Sequence, residues 1–120
     1  MTAIDWAGLQ ALLTAPLREK VVVIGDYNFR LREMTEEQST KYELALQDKS
    51  GKYDWARARR AMIAMMLVDD SGNHVVTDES QLKAMPRSIA GRLFDECQSL
   101  NRYEANEVKD LIKNSEEADG

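Results

Sequence analysis

His74 is the single histidine of the sequence and Cys97 its single cysteine, so most metal, proton-transfer and thiol chemistry would have to be built around one of these two residues. A metal site at His74 needs further ligands, and its flanks supply only Asp69, Asp70 and Asp78, with no second histidine or cysteine at ligand spacing. His74 therefore reads as a turn-edge residue. Asp69-Asp70-Ser71-Gly72-Asn73 has the composition of a calcium loop. Such a loop, however, requires alternating oxygens, a glycine at the sixth position and a bidentate glutamate at the twelfth, and no register beginning at Asp69 or Asp70 meets this. Cys97 falls on an apolar stripe, where a thiol packs and does not attack. The acid pairs Glu36-Glu37 and Asp95-Glu96 diverge by about 100° on a helix and read as solvated surface.

Arg57, Arg59 and Arg60, next to Trp55, form the sole basic cluster. Only Arg57 and Arg60 share a helix face, so this is a two-arginine patch suited to an acidic partner or to plain solvation. Met62, Met65 and Met66 have the pliability of a peptide-binding surface and also the spacing of an ordinary core, and the core is the expectation.

The elements that must carry these residues are legible from periodicity. Trp6, Leu9, Leu12 and Leu13 recur at helical spacing after Asp5, an N-cap, and Pro16 ends that helix. This amphipathic segment, residues 1–16, is either a lid on the core or a detachable arm that packs on a neighbouring subunit. Val21-Val22-Val23-Ile24, the turn residues Gly25 to Asn28, and the alternation of Phe29 and Leu31 with Arg30 and Arg32 predict a β-hairpin. The period then switches from two to about 3.6 within Phe29 to Gln38. Thr35 and Gln38 form a capping box for a helix running to about Gln47, with Tyr42, Ala45 and Leu46 inward and Leu44 off that face. After a polar connector, Asp54 caps a helix carrying Trp55, Ala58, Met62, Met65 and Met66. Ala61 to Val68 is apolar nearly all round, so this is expected to be the central helix, ended by the turn Asp69 to Asn73. His74 to Thr77 is expected to be a brief third strand. Asp78 with Gln81 starts a short helix over Glu79 to Met85. Pro86 opens another, with the core stripe Ile89, Leu93, Cys97 and Leu100. Asn101 and Glu104 read as a cap pair for a last helix bearing Ala105, Val108, Leu111 and Ile112, before a frayed acidic end.

The expected fold class is thus α+β and predominantly α-helical: a small antiparallel β-hairpin or three-stranded sheet near Val21-Arg32 and His74-Thr77, packed with about five or six helices. The 120 residues suit one domain, with residues 17–113 as its core and 114–120 as its tail. No apolar run approaches the ~20 residues of a membrane span, and the first residues lack the basic and apolar regions of a secretion signal, so a cytosolic protein without membrane partners is expected. Of the formal charge of −5, residues 103–120 hold −4. The remainder is nearly neutral and offers no one-signed basic field for nucleic acid.

The order and spacing of a strand run, Leu31-Arg32-Glu33-Met34-Thr35, a helix with Tyr42, a polar gap, a small-residue apolar helix ending Leu67-Val68-Asp69, Gly72, Val75-Val76-Thr77-Asp78, Leu82, Arg92-Leu93 and Leu100-Asn101 resemble the tail assembly chaperones of long-tailed, siphovirus-type bacteriophages. The resemblance spans about Val21 to Asn101. It implies a non-enzymatic protein of the bacterial host cytoplasm, with no cofactor and no catalytic residue. Such a protein multimerises, coats the tape-measure protein, helps recruit tail-tube subunits, and leaves before the virion is complete. It further implies a short form and a frameshifted longer form, with which Lys113-Asn114 is compatible as the product of a slippery codon run. No contact motif of that family maps onto this chain. The interaction residues expected on physical grounds are Trp6, Leu9 and Leu13 for self-association, with Leu44, Trp55, Arg57 and Arg60. The alternative reading is a small regulatory or DNA-binding adaptor using Asp78 to Asn101 as a helix-turn-helix. Against it, Lys83, Arg87, Arg92 and Arg102 are balanced by Asp78, Glu79, Asp95 and Glu96.

Overall fold

The computed structural model describes residues 2–102, which divide into two compact units. The first contains helix α1, Trp6–Thr14, and the second is Leu17–Asn101. α1 begins where Asp5 Oδ1 accepts the Gly8 N–H at 2.8 Å. It ends where Ala15, ahead of Pro16, turns extended at ψ 146° because the proline ring disfavours a helical residue before it.

In the second unit the hairpin pairs β1, Glu19–Ile24, antiparallel with β2, Tyr27–Arg32, in a register running from Glu19 opposite Arg32 to Ile24 opposite Tyr27. The loop is only Gly25-Asp26, shorter than the four turn residues expected from the sequence. Gly25 takes φ +60°, and among the described residues no non-glycine has positive φ. A positive φ at the first loop position alone is the pattern of a type II′ turn, whose twist matches that of the strands.

Only three residues separate β2 from helix α2, Glu36–Leu46. Thr35 Oγ1 accepts the Gln38 N–H, and Gln38 Oε1 accepts the Thr35 N–H, so the expected capping box is formed. Tyr42 and Leu46 are buried, whereas Ala45 is exposed and does not share their face.

Asp54 caps as expected, but the element it opens is a single 3-10 turn, Trp55–Arg57, followed by α3, Ala58–Met66. Trp55 consequently leaves the stripe assigned to it and lies in solvent, while Ile63, absent from that stripe, is fully buried. Ala58, Met62, Ile63 and Met66 make α3 the central helix. It stops two residues short of the expected end. Leu67 adopts extended geometry, and Leu67–Val68 form β3, antiparallel to β2 in a sheet ordered β1-β2-β3. The third strand is therefore not His74 to Thr77, since His74 contributes only a single bridge to Val68. Periodicity alone cannot separate the end of an apolar helix from a two-residue strand that a distant β2 recruits. The intervening loop is held by Asp69 Oδ1, which accepts the N–H groups of Ser71 and Asn73 at 2.9 Å each.

Asp78 and Gln81 form the expected capping box, yet only a 3-10 turn, Glu79–Leu82, follows instead of a helix to Met85. The next helix, α4, is Arg87–Asn101, with the Pro86 carbonyl accepting the Ile89 and Ala90 N–H groups. Among the described residues there are thus four α-helices and two 3-10 turns, not five or six helices. The expected last helix over Ala105 to Ile112 and the acidic end lie outside the described residues. Asn101, read as its cap, is the last residue of α4, and its Oδ1 accepts the Met34 N–H at 2.9 Å.

The core lies between the inner sheet face, Val22, Leu31 and Leu67, and the helices. Leu46, Ile63, Met66, Leu93 and Cys97 are essentially without solvent contact. Fully burying each such aliphatic side chain contributes about 1.5–3 kcal/mol. The expected stripe on α4 forms: Leu93 and Cys97 are buried, with Ile89 and Leu100 packed at its margins.

Candidate functional site

Cys97 sits in the core, where burial first and the neighbouring Glu96 charge second push its thiol up to about 12, leaving almost no thiolate at neutral pH. His74 is exposed on the rim of a broad hollow of about 470 Å³ that also touches Lys41, Met65, Asp78 and Glu79. Among the described residues no three His, Cys, Asp or Glu side chains are grouped to hold a metal ion. No described helix is long and apolar enough to cross a membrane.

Asp78 and Glu79 both ionise more readily than ordinary carboxylates, for local reasons. The Ser80 N–H and hydroxyl stabilise the Asp78 anion. For Glu79 the chief cause is the hydrogen bond from Arg60, helped by that from Arg57. Tyr42 is shifted the opposite way from an ordinary phenol. It is held neutral mainly by burial and next by the Glu43 charge, and its hydroxyl donates to the Ala58 carbonyl at 3.4 Å.

What the structure does offer is uncovered apolar surface. On α1 the spacing of Trp6, Leu9 and Leu13 puts the three on one side, and the helix has no buried residue: Trp6 is 65% and Leu13 68% exposed. In the second unit Leu44 is 61% exposed on α2, and Trp55, 66% exposed, stacks on Tyr53 with ring centroids 5.2 Å apart. The outer face of the sheet forms a third surface. Val21 and Val23 alternate away from the core and, with Tyr27 and Val75, remain exposed. A shallow groove of about 360 Å³ there includes Val21, Tyr27, Arg30, Val68 and Val75. Sequence reasoning missed this face because it assigned the valine run to a hairpin strand without assigning the strand's two faces. Strict alternation across an edge strand would have flagged Val21 and Val23.

Arg57 and Arg60, expected to meet a partner, converge on Glu79. Arg57 Nε donates to Oε1 at 2.9 Å and Arg60 Nε to Oε2 at 2.7 Å. Arg57 Nη1 also donates to the Ala45 carbonyl at 3.3 Å, close to the end of α2, where a cation suits the helix dipole. The two side chains therefore tie α2, α3 and the Glu79 turn together. Sequence spacing could pair them with each other but could not identify Glu79.

No protein-family model matches the sequence, and no curated protein matches it. Among solved structures, the chain is similar to that of the bacteriophage HK97 tail assembly chaperone, with 22% identity over 78% of this chain and 97% of that one and a TM-score of 0.53. The two share a fold.

Proposed function

We propose that this chain is a non-enzymatic phage tail assembly chaperone. It multimerises, coats the tape-measure protein and keeps it soluble, and helps recruit tail-tube subunits, through a frameshifted longer product where one is made. It works in the bacterial cytoplasm and departs before the virion is complete. The observation that carries this reading is the fold shared with the HK97 chaperone. The uncovered apolar side chains suit such a role, because a long helical partner with apolar surface is best kept soluble by many copies of a small domain, each adding weak contacts. In this reading Trp6, Leu9 and Leu13 mediate self-association, while Leu44 and Trp55 supply further apolar contact.

Co-expression tests the proposal. The tape-measure protein encoded beside this chain is expected to be insoluble alone, and soluble and co-purifying when the chain is present. A tape-measure protein that stays insoluble and uncaptured, with a chain that is monomeric at every concentration, would remove the reading. Self-association that survives deletion of residues 1–16 unchanged would remove the assignment to Trp6, Leu9 and Leu13 alone. Salt-sensitive binding to random duplex DNA would favour the adaptor instead.

A further inference from the structure

The second unit has settled most of its cations internally. Arg18 pairs with Glu33, Lys20 with Glu96, Arg30 and Arg32 with Glu19, and Arg57 and Arg60 with Glu79. Arg59 and Arg87 differ, since among the described residues neither side chain has a hydrogen-bond or ion-pair partner, a condition they share with Lys49, Lys52, Lys83 and Arg92. Both line one groove of about 210 Å³, together with Lys83, over a floor of Leu82, Met85 and Ala90. Arg87 lies along α4 over Gly91, where a Cβ would meet its guanidinium. The groove thus offers three cationic side chains around an apolar strip.

An acidic segment with apolar residues at matching intervals would complement it, and the sequence contains one: Glu104, Glu107 and Asp110 interleaved with Ala105, Val108 and Leu111, a net −2 over residues 104–111 once Lys109 is included. We propose that the groove of one copy receives residues 104–111 of a second copy of this chain. A tail-to-groove contact between copies closes as a two-fold dimer where two chains exchange tails, and otherwise runs head-to-tail into a ring or an open filament. An extended partner is sheathed in that way. The inference rests on the self-association proposed above and specifies one of its contacts.

The experiment is sedimentation velocity on full-length chains over a concentration series, at low and high salt. Arg59→Glu/Arg87→Glu and, separately, Glu104→Lys/Glu107→Lys/Asp110→Lys are each expected to weaken association about tenfold, the worth of a few exposed ion pairs, and added salt is expected to weaken the unchanged chain likewise. Mixing the two variants restores association, because each then meets a complementary mate; a variant that merely failed to fold would not be rescued. If the unchanged chain assembles and either variant assembles equally well, or the mixture does not recover, the groove assignment is wrong while self-association stands. If the unchanged chain never assembles, self-association itself falls. Binding of a single-stranded oligonucleotide that Arg59→Glu/Arg87→Glu abolishes would give the groove to nucleic acid and overturn the assignment.

Discussion

Replacing Glu79 by glutamine tests whether the convergence of Arg57 and Arg60 on one carboxylate holds the second unit together. The Glu79 side chain is 16% exposed, its partners 39% and 27%, and the two bonds are 2.9 and 2.7 Å long. A hydrogen bond to a charged group is worth about 1.5–3 kcal/mol when sheltered, and an exposed ion pair about 0–1. With both arginines partly wetted, each bond is assigned about 1 kcal/mol. Glutamine keeps one acceptor, loses the charge and turns an amide donor toward the other guanidinium, so the expected loss is about 1.5 kcal/mol at about pH 7. The sign with pH follows from the lowered pKa of Glu79. A carboxyl that ionises more readily in the folded state contributes stability above its unfolded value of about 4.3, and that stability is lost as pH falls through the folded value. The gap between the unchanged protein and Glu79→Gln is therefore full near neutrality and closes in acid. Urea unfolding followed by far-ultraviolet circular dichroism at about pH 7 and about pH 3 measures it. Tryptophan emission is a poor probe, because Trp6 and Trp55 are already exposed. A gap below about 0.3 kcal/mol at neutral pH, or one of equal size in acid, would refute the reasoning.

Four further outcomes are expected. Cys97, with its thiol pushed up to about 12 by burial, should resist a thiol reagent in the native protein and react at the rate of unfolding; rapid labelling without denaturant would contradict the packing of α4. Gly91→Ala should stabilise by about 0.5–1 kcal/mol in urea titrations, since alanine suits a helix interior and only the mobile end of Arg87 must move aside. Gly72→Ala should destabilise by about 1–2 kcal/mol, because Gly72 holds φ +85° and alanine resists that conformation. Thr35→Ala removes the acceptor of the α2 capping box and should cost about 1 kcal/mol by the same assay.

The features that sequence revealed are those decided by neighbours in the chain. Asp5, Thr35 with Gln38, Asp54 and Asp78 with Gln81 all cap where they were expected to, because a side chain and the backbone two or three residues on settle the matter between themselves. The hairpin and the Leu93 and Cys97 stripe were legible through periodicity. Features settled by distant partners were not. Leu67 and Val68 became strand only because β2 was there to pair with them, and Arg57 and Arg60 turned inward because Glu79 arrived from about twenty residues away. Of the expected interaction residues, Trp6, Leu13, Leu44 and Trp55 could be read as candidates because amphipathic spacing and interruption by turns leave some apolar side chains without a seat. The basic groove was illegible, since its members come from separate elements.

The passage from α3 into β3 without an intervening residue has a mechanical consequence. Leu67 is simultaneously the residue that ends the helix and the partner of Leu31 across the sheet, so no slack separates the two. Sliding α3 along its axis by one residue would drag β3 out of step with β2 and expose what both shield. The central rod and the sheet must yield together, like a beam cast in one piece with its end plate. Load applied to the hairpin is then transmitted straight into the central helix of the second unit.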